Sequence, residues 1–466
     1  MTSSAPVLPG QTRAEWVRRN LFPNWWSGLT TIVLAPIILY FAYRALRFLF
    51  VTGQWDAVQV NLTLFMQGTF PRDEQWRLIT QILIFAFAFG VVLGTNSAAS
   101  YDRAVDAGLD VEKGSIVETL TRMWSLVAFI ALLLFFATTD DIGNFINPFL
   151  VVGGALVLAF IGYQAHRFPR SLRNLGWLLT MTFLVIGFQV VSGFDTGGWV
   201  PLGIIYGITA YSIAPVDRFD APWLRVVLRL VAAAVVVFAL RAIYAAVDSP
   251  GIGWDEWSGL HLTLMVSAIA IVLAFPLGLL LALARRSTLP ALRIMATVYI
   301  EVIRGVPLIT LLFMGQFILG FVVPAGTVLS AITRAIAVMT LFSAAYIAEI
   351  VRGGLQSLDK GQNEAGQALG LAPPPIMRRI ILPQALTAVI PAMVGQFISL
   401  FKDSSLLSII AILEFLGVRK IIHAQPDFRS VAFAETLIFV AIGYWAFAFA
   451  MSRESQRLER RLRVTR

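Results

Sequence analysis

The chain has 466 residues, of which 58% are hydrophobic and only 14% are charged. Soluble globular chains are about 45–50% apolar and about 25% charged, so this composition excludes a disordered protein and an ordinary soluble enzyme. The net charge of +9 would suggest nucleic acid as a partner of a soluble protein. Here the basic residues are concentrated on one side of a predicted membrane protein, so we expect no nucleic acid as a partner. The composition predicts an all-α polytopic protein in contact with membrane lipid.

A helix that crosses a membrane needs about 20 mostly apolar residues, and about twelve stretches meet or approach this length. They lie at 29–51, 78–95, 122–138, 149–165, 175–192, 199–214, 226–247, 260–284, 294–321, 330–352, 385–402 and 431–451. The stretch 199–214 is the weakest, because it is short and contains Pro201 and two glycines. We expect no cleavable signal peptide, since a long basic segment precedes a first span that is itself long enough to cross.

The distribution of basic residues predicts the orientation. Lys and Arg concentrate in the cytoplasmic loops of membrane proteins. With the N-terminus inside, most of the 36 Lys and Arg residues fall in inside loops and only a few in outside loops. The sequence therefore predicts an even number of spans, with both termini in the cytoplasm.

The apolar stretch 404–417 does not fit as a span. It is short for a crossing and contains Glu414, and a crossing here would place the basic C-terminal tail outside. A half-helix or re-entrant segment is predicted instead, capped by Ser404 and Ser405. The N-terminal end of a helix attracts carboxylates, so the junction at Lys402 and Asp403 is a candidate part of a solute pathway.

A pair of opposite charges lies inside the span 294–321. Arg304 is about 15 Å from the predicted cytoplasmic end, close to the membrane midplane. Glu301 lies three residues earlier, so the two side chains share a helix face and are expected to pair. Gly305 and Pro307 follow, so the helix is expected to bend or open. Freed backbone groups beside the pair could hold a zwitterion, or the pair could only fasten this helix to a neighbour.

A second set of polar residues ends the span 330–352. Glu349 and Arg352 are again three residues apart, and Tyr346 lies one turn earlier. For these three residues, a structural role that anchors the following loop is favoured over contact with a solute.

No catalytic or metal-binding constellation stands out. The chain has no cysteine and three isolated histidines, His166, His261 and His423, so no metal site is expected. No G-x-x-x-x-G-K-[ST] phosphate loop occurs in the sequence, so we expect that this chain binds no cofactor and does not hydrolyse ATP.

The loop 353–384 has its own helical pattern. Asp359 can cap a short helix that starts at Lys360 or Gly361, and Gly370 suits the position after that helix. The triple proline at 373–375 is expected to block a helix, with a second short helix after it. A face at helical spacing is formed by Glu364, Ala365, Ala368 and Leu369.

This loop resembles the EAA loop of ABC importer permeases. The family pattern is Glu-Ala-Ala, three residues, Gly, nine residues, Ile, one residue and Leu-Pro. The matching positions here are Glu364, Ala365, Gly366, Gly370, Ile380, Leu382 and Pro383. The one departure is Gly366, where the family prefers Ala, and it weakens the helix by up to ~1 kcal/mol. The resemblance implies a coupling helix that docks in a groove of an ATPase subunit.

Further stretches are similar to the permeases of polar amino-acid importers. These stretches are 299–308, 345–353, 361–362 and 401–406, with Ser404 where the family usually has Thr. The longer N-terminal part resembles the M-type permease of general L-amino-acid importers. The resemblance implies an extension of about seven helices at 1–250, followed at 251–466 by a type I importer (MetI-like) domain with a five-helix core.

The resemblance also implies a function and a set of partners. The chain would be a permease subunit in a bacterial inner membrane that imports polar L-amino acids, such as Glu, Gln, Asp, Asn, His and Arg, by alternating access. Its partners would be ATPase subunits that hold ATP and Mg, a periplasmic amino-acid-binding protein and a second permease chain, with a heterodimer favoured. The implied substrate pathway contains Glu301, Arg304, Gly305, Pro307, Lys402, Asp403, Ser404 and Ser405. An ATP-independent secondary transporter and a membrane-embedded enzyme with its site at 301–304 are the alternatives.

Overall fold

A computed structural model describes residues 12–106, 108, 117, 146–173, 175–194, 199–214, 221–247, 249–253, 256–322, 329–429 and 431–464. Almost all regular structure in these ranges is helical, which confirms the predicted fold class. The predicted span at 122–138 lies outside the described residues.

The helices are labelled in chain order. Those of the N-terminal part are α1 (Arg13–Leu21), α2 (Trp25–Arg47), α3 (Asp56–Gln59), α4 (Leu62–Gln67), α5 (Gln75–Asp106), α6 (Ile146–Tyr163), α7 (Arg170–Arg173), α8 (Gly176–Ser192), α9 (Trp199–Ile213) and α10 (Pro222–Val247). Those of the C-terminal part are α11 (Gly259–Arg285), α12 (Pro290–Gly305), α13 (Leu308–Val322), α14 (Ala331–Gln356), α15 (Gly361–Ala368), α16 (Pro373–Ile376), α17 (Leu382–Asp403), α18 (Arg419–Ile422) and α19 (Phe433–Val464). A two-residue antiparallel ladder joins β1 (Gly193–Phe194) to β2 (Ser249–Pro250), with Gly193 opposite Pro250.

Eight helical segments in the described ranges are long and apolar enough to cross a membrane, or nine if α12 and α13 count as one span. The described ranges therefore do not confirm the predicted number of twelve. The predicted spans 175–192 and 199–214 are helical, as α8 and α9, but these helices have only 17 and 15 residues. Both are shorter than the ~20 residues that a perpendicular crossing requires.

The predicted span 294–321 is not a single helix. The chain forms two helices there, α12 and α13, bent by 109° at a break after Gly305. Val306 has an extended backbone with φ −104° and ψ 135°. Pro307 disfavours helical geometry at the residue before it and lacks an N–H, which explains the break. The predicted bend at Gly305 and Pro307 is therefore confirmed.

Of the two alternatives predicted for 404–417, the half-helix is wrong, because no α-helix forms there. A 3₁₀ turn, Ser404–Ser408, continues directly from α17, and the chain then turns with Ala411 at a φ of 64°. Ser404 does not cap a new helix, because its hydroxyl donates to the carbonyl of Phe401 at 2.6 Å. A single bridge pairs Glu414 with Gly259, at the start of α11.

The core of the C-terminal part centres on α14, which packs against α11 and α17. Small and branched side chains of α14 are fully buried there, namely Ala344, Ala345, Ile347, Ala348 and Val351. Small residues let helix backbones approach closely when lipid supplies no hydrophobic driving force between helices. The loop 353–384 therefore connects two helices, α14 and α17, that pack against each other.

Candidate functional site

The loop 353–384 begins as the sequence predicts. α15 follows Asp359, whose Oδ1 accepts the backbone N–H of Gly361 at 2.8 Å. After the helix, Gly370 has a φ of +72°, a left-handed conformation that glycine adopts at no steric cost. The N–H of Leu371 then donates to the carbonyl of Gly366 at 3.1 Å. Both ends of this short helix are fixed by local chemistry.

The second half of the loop differs from the prediction. The triple proline does not block a helix, because Pro373 starts α16. Prolines are tolerated in the first turn, where the backbone N–H groups have no intrahelical partner. α16 continues through a π-helical turn, Met377–Ile381, into α17. The loop is therefore joined to the long helix α17 without a flexible break.

Gly366 packs against the second half of the loop. A Cβ atom at this position would lie 2.9 Å from Cγ1 of Ile376, and Ile376 is itself buried. The glycine that departs from the family pattern thus makes room for a branched side chain. Close packing of this kind leaves little space for an additional methyl group.

The opposite face of α15 is exposed. Leu369 has 78% of its surface exposed, and the other exposed members of this face are Glu364, Ala365 and Ala368. At the base of the loop, Leu382 is half-buried and Pro383 is exposed. An exposed Leu beside two alanines and a carboxylate forms an apolar surface with one charge, which suits contact with another protein. We call Glu364, Ala365, Ala368 and Leu369 the docking face.

Five charged side chains meet where α11 ends and α14 approaches the loop. Glu349 of α14 accepts hydrogen bonds from Arg285, the last residue of α11, and from Arg352, whose Nη2 lies 2.8 Å from Oε2. Nη1 of Arg304 lies 3.5 Å from the same Oε2 atom. Arg285 also donates from Nη2 to Oε1 of Glu301 at 2.8 Å. We call these residues the charge cluster.

The charge cluster corrects two expectations. Glu301 forms a salt bridge with Arg285, and Arg304 forms one with Glu349. The expected pair between Glu301 and Arg304 is replaced by these two contacts. Arg304 lies instead over the ring of Tyr346, 5.4 Å from its centroid. The cluster is also level with the end of α11, not midway along it. The predicted midplane depth of Arg304 assumed a helix along the membrane normal, and a cluster shared with Arg285 at the end of α11 does not fit that assumption.

The break beside the cluster is open. Gly305 has no heavy atom within 4 Å of an added Cβ, and both Gly305 and Pro307 are exposed. Arg304 is 34% exposed. A backbone break with free space around it can change its angle at low steric cost.

A groove of about 680 Å³ runs between α17 and α19. Lys402 and Ser405 line one side of it, and residues of α19 line the other. The wall formed by α19 extends from Leu437 to Ser452, which corresponds to ~22 Å of helix. Most of the lining is apolar, and Tyr444 lies about midway along the wall formed by α19.

The four predicted residues at the end of α17 separate into two layers. Lys402 is exposed in the groove, and Ser405 lines it. Ser404 is fully buried behind the groove, where its Oγ lies 3.4 Å from the Tyr444 hydroxyl. Asp403 is half-buried and does not line the groove.

The two predicted groups of pathway residues lie apart. Lys402 lies next to the last residue of α17, Asp403. Among the described residues, no salt bridge joins Lys402 to Glu301, whose partner is Arg285, and Arg304 pairs with Glu349.

Sequence reasoning missed three contributors to these sites. The sequence placed Arg285 at the start of a predicted cytoplasmic loop, where a basic residue is expected whatever its partner. Tyr444 had no distinguishing signal among many aromatic residues. Glu414 stood out in an apolar stretch, and its Oε2 accepts the Tyr444 hydroxyl at 2.7 Å.

Residues 274–464 match the family described as the inner membrane component of binding-protein-dependent transport systems. The amino-acid ABC transporter permease protein YhdY of Escherichia coli is 44% identical over 211 residues, which cover 45% of this chain and 57% of that protein. The glutamate/glutamine/aspartate/asparagine transport system permease protein BztC of Rhodobacter capsulatus is 38% identical, with 57% and 63% covered. The match thus spans less than two thirds of either relative.

A shorter relative is covered almost completely. The probable glutamine ABC transporter permease protein GlnP of Bacillus subtilis is 38% identical over 203 residues, which cover 44% of this chain and 91% of that protein. Among solved structures, a chain from the crystal structure of an amino acid ABC transporter with histidines is 33% identical, with a TM-score of 0.40 and coverage of 44% of this chain and 92% of that chain.

Proposed function

Because the chain belongs to the family of inner membrane components of binding-protein-dependent transport systems, we propose that it is a permease subunit of an ATP-driven importer of polar L-amino acids. The names of its relatives refer to glutamine, glutamate, aspartate and asparagine. A solute with both charges suits a path that offers Lys402 and, at its other end, acidic and basic side chains. Both termini would lie in the cytoplasm.

The observation that carries this proposal is the docking face on the loop 353–384. A rigid helical hairpin that exposes Leu369 and Glu364 away from its own packed side is built to contact a second protein. Burial of one Leu side chain contributes about 1.5–3 kcal/mol. We assign the ATPase subunit to this face, with ATP and Mg held by that subunit.

The connections of the loop supply a route for movement. α14 ends three residues before Asp359 and carries Glu349, which holds Arg285 of α11 and Arg304 of α12. α17 starts directly after the loop and carries Lys402. Displacement of the docking face by the ATPase would therefore move the helix of the charge cluster and the helix of the groove together.

We assign the groove between α17 and α19 to the substrate path. A lysine ammonium that faced lipid would cost roughly 2.5–3.5 kcal/mol on insertion scales, and no carboxylate forms a salt bridge with Lys402 among the described residues. The α-carboxylate of an amino acid would pair with this ammonium, and Ser405 would add a hydroxyl.

The remaining partners follow from the proposed assembly. A periplasmic binding protein would deliver the amino acid at the end of the bundle opposite the docking face. A second permease chain, different from this one, would complete the path. Residues 251–466 would form the importer domain, and residues 1–250 its extension.

The test is a charge reversal on the docking face. Glu364→Lys should lower ATP-driven uptake of labelled glutamine by about tenfold in vesicles that contain the full complex, because one lost interface contact of ~1.4 kcal/mol changes affinity tenfold. Asn363→Lys is the matched control, since it adds a cation to the same helix about 100° from Glu364. Uptake without ATP, or undiminished uptake by Glu364→Lys, would contradict the proposal.

A further inference from the structure

The N-terminal extension contacts the loop that follows α17. We call residues 53–70, which contain α3 and α4, the bracket segment. Its Asn61 accepts a hydrogen bond at Oδ1 from Nε2 of Gln425 at 2.9 Å. Its Gln54 donates a backbone N–H to Oε1 of Glu435 at 2.8 Å. Two polar contacts thus join segments more than 350 residues apart in sequence.

An aromatic cluster reinforces this contact. Phe65 of the bracket segment is fully buried. Its ring centroid lies 4.8 Å from that of Phe439 in α19 and 6.0 Å from that of Phe415. Tilted and edge-to-face pairs at these distances are favourable beyond the area that they bury. The ring therefore holds Phe415 against α19.

Phe415 in turn contacts a residue of the groove. Its ring centroid lies 5.7 Å from that of Tyr444. The Tyr444 hydroxyl donates to Glu414 at 2.7 Å, and Glu414 is fixed by the backbone N–H groups of Leu416 and Gly417 at 2.8 and 2.7 Å. The ring and the hydroxyl of Tyr444 are thus both held by neighbouring residues of one loop, and that loop rests on Phe65.

We infer that Phe65 is a positioning residue for the groove between α17 and α19, and that it acts through Phe415 and Tyr444. The functional part of this inference rests on the proposed assignment of the groove to the substrate path. Tyr444 lines the groove together with Lys402, so the position of its ring sets the shape of the wall opposite the ammonium. The extension is then a part of the transport pathway and not only a membrane anchor.

The absence of cysteine from the chain provides a direct probe. Ala441 is exposed and lines the groove three residues before Tyr444. In the assembled complex, the rate at which a maleimide labels Ala441→Cys on this chain reports the local shape of the groove. A second measurement is the amount of labelled glutamine transported per ATP hydrolysed, which falls when substrate is misplaced but does not fall when complexes merely assemble less well.

Phe65→Leu in the Ala441→Cys chain should change the labelling rate about threefold or more, and transport per ATP should fall about tenfold, within the range of coupling changes from residues along a contact chain. Phe87→Leu is the matched control, because Phe87 packs on Phe183 at 4.7 Å within the extension. It should change neither quantity. Phe65→Met keeps most of the volume and replaces Phe65→Leu if that variant does not assemble.

The outcomes separate the inference from the proposed function. An unchanged labelling rate with Phe65→Leu overturns the positioning role, and so does an equal change with Phe87→Leu. A changed labelling rate with unchanged transport per ATP supports the positioning role but contradicts the assignment of the groove to the substrate path. Changes in both quantities with Phe65→Leu alone support both.

Discussion

Substitution of Glu349 by glutamine tests the charge cluster most directly, because this carboxylate holds three arginines from three helices. The Glu349 side chain is 15% exposed and that of Arg285 is 22% exposed, so their contact contributes about 1.5–3 kcal/mol. Arg304 and Arg352 are 34% and 31% exposed, so solvent screens each of these contacts to ~0.5–1 kcal/mol. Glutamine keeps one acceptor oxygen, so the substitution is expected to lower the free energy of unfolding by about 2–3 kcal/mol.

Glu301→Gln is the matched control, because it removes the same charge from the same cluster. Glu301 is 58% exposed and contacts one arginine, so the expected loss is about 0.5 kcal/mol. Thermal unfolding of the purified complex in lipid nanodiscs should show a clearly lower midpoint for Glu349→Gln than for Glu301→Gln. ATP-driven uptake should follow the same order. Equal midpoints for the two variants would refute the central role of Glu349.

Two further predictions concern the loop and the groove. Gly366→Ala restores the family residue and gains helix propensity of ~1 kcal/mol, but overpacking against Ile376 costs roughly 1–3 kcal/mol. The amount of ATPase subunit that co-purifies should therefore fall or stay equal. Tighter association would contradict the packing of Gly366 against Ile376. Lys402→Met should lower the amount of glutamine transported per ATP about tenfold, because it removes the ammonium, whereas Lys402→Arg should keep most of that amount. Equal effects of the two changes would show that the charge at this position does not determine transport.

Local chemistry in the loop 353–384 was readable from the sequence. Asp359 and Gly370 occupy their predicted positions because capping and left-handed backbone depend on residues only two or three positions away. The triple proline was misread because its effect depends on where a helix begins. In the first turn its missing N–H groups cost nothing, and the same residues in a helix interior would break it.

The charge cluster was only partly predictable. The i,i+3 spacing correctly brought Arg352 to Glu349, since that contact lies within one helix. The same rule failed for Glu301 and Arg304, because the ends of α11 and α14 offer Arg285 and Glu349 as partners. Which helices meet, and at what level, depends on tertiary packing and on the angle after Gly305. The contact between Phe65 and Phe415 was invisible for the same reason.

The position of the loop between α14 and α17 explains how one displacement can reach two distant sites. Glu349 lies about two turns before the end of α14, so under the proposed function it would follow that end closely, and the cluster would transmit the movement to α11 and to the bend after Gly305. α17 is one helix from Leu382 to Asp403, with Pro391 inside it, so Lys402 would move with the start of that helix although it lies ~30 Å away. The bracket segment contacts α19 near its N-terminal end, where Phe65 packs on Phe439. A helix that moves against a wall held in place changes the width of the groove between them, which is the change that alternating access requires.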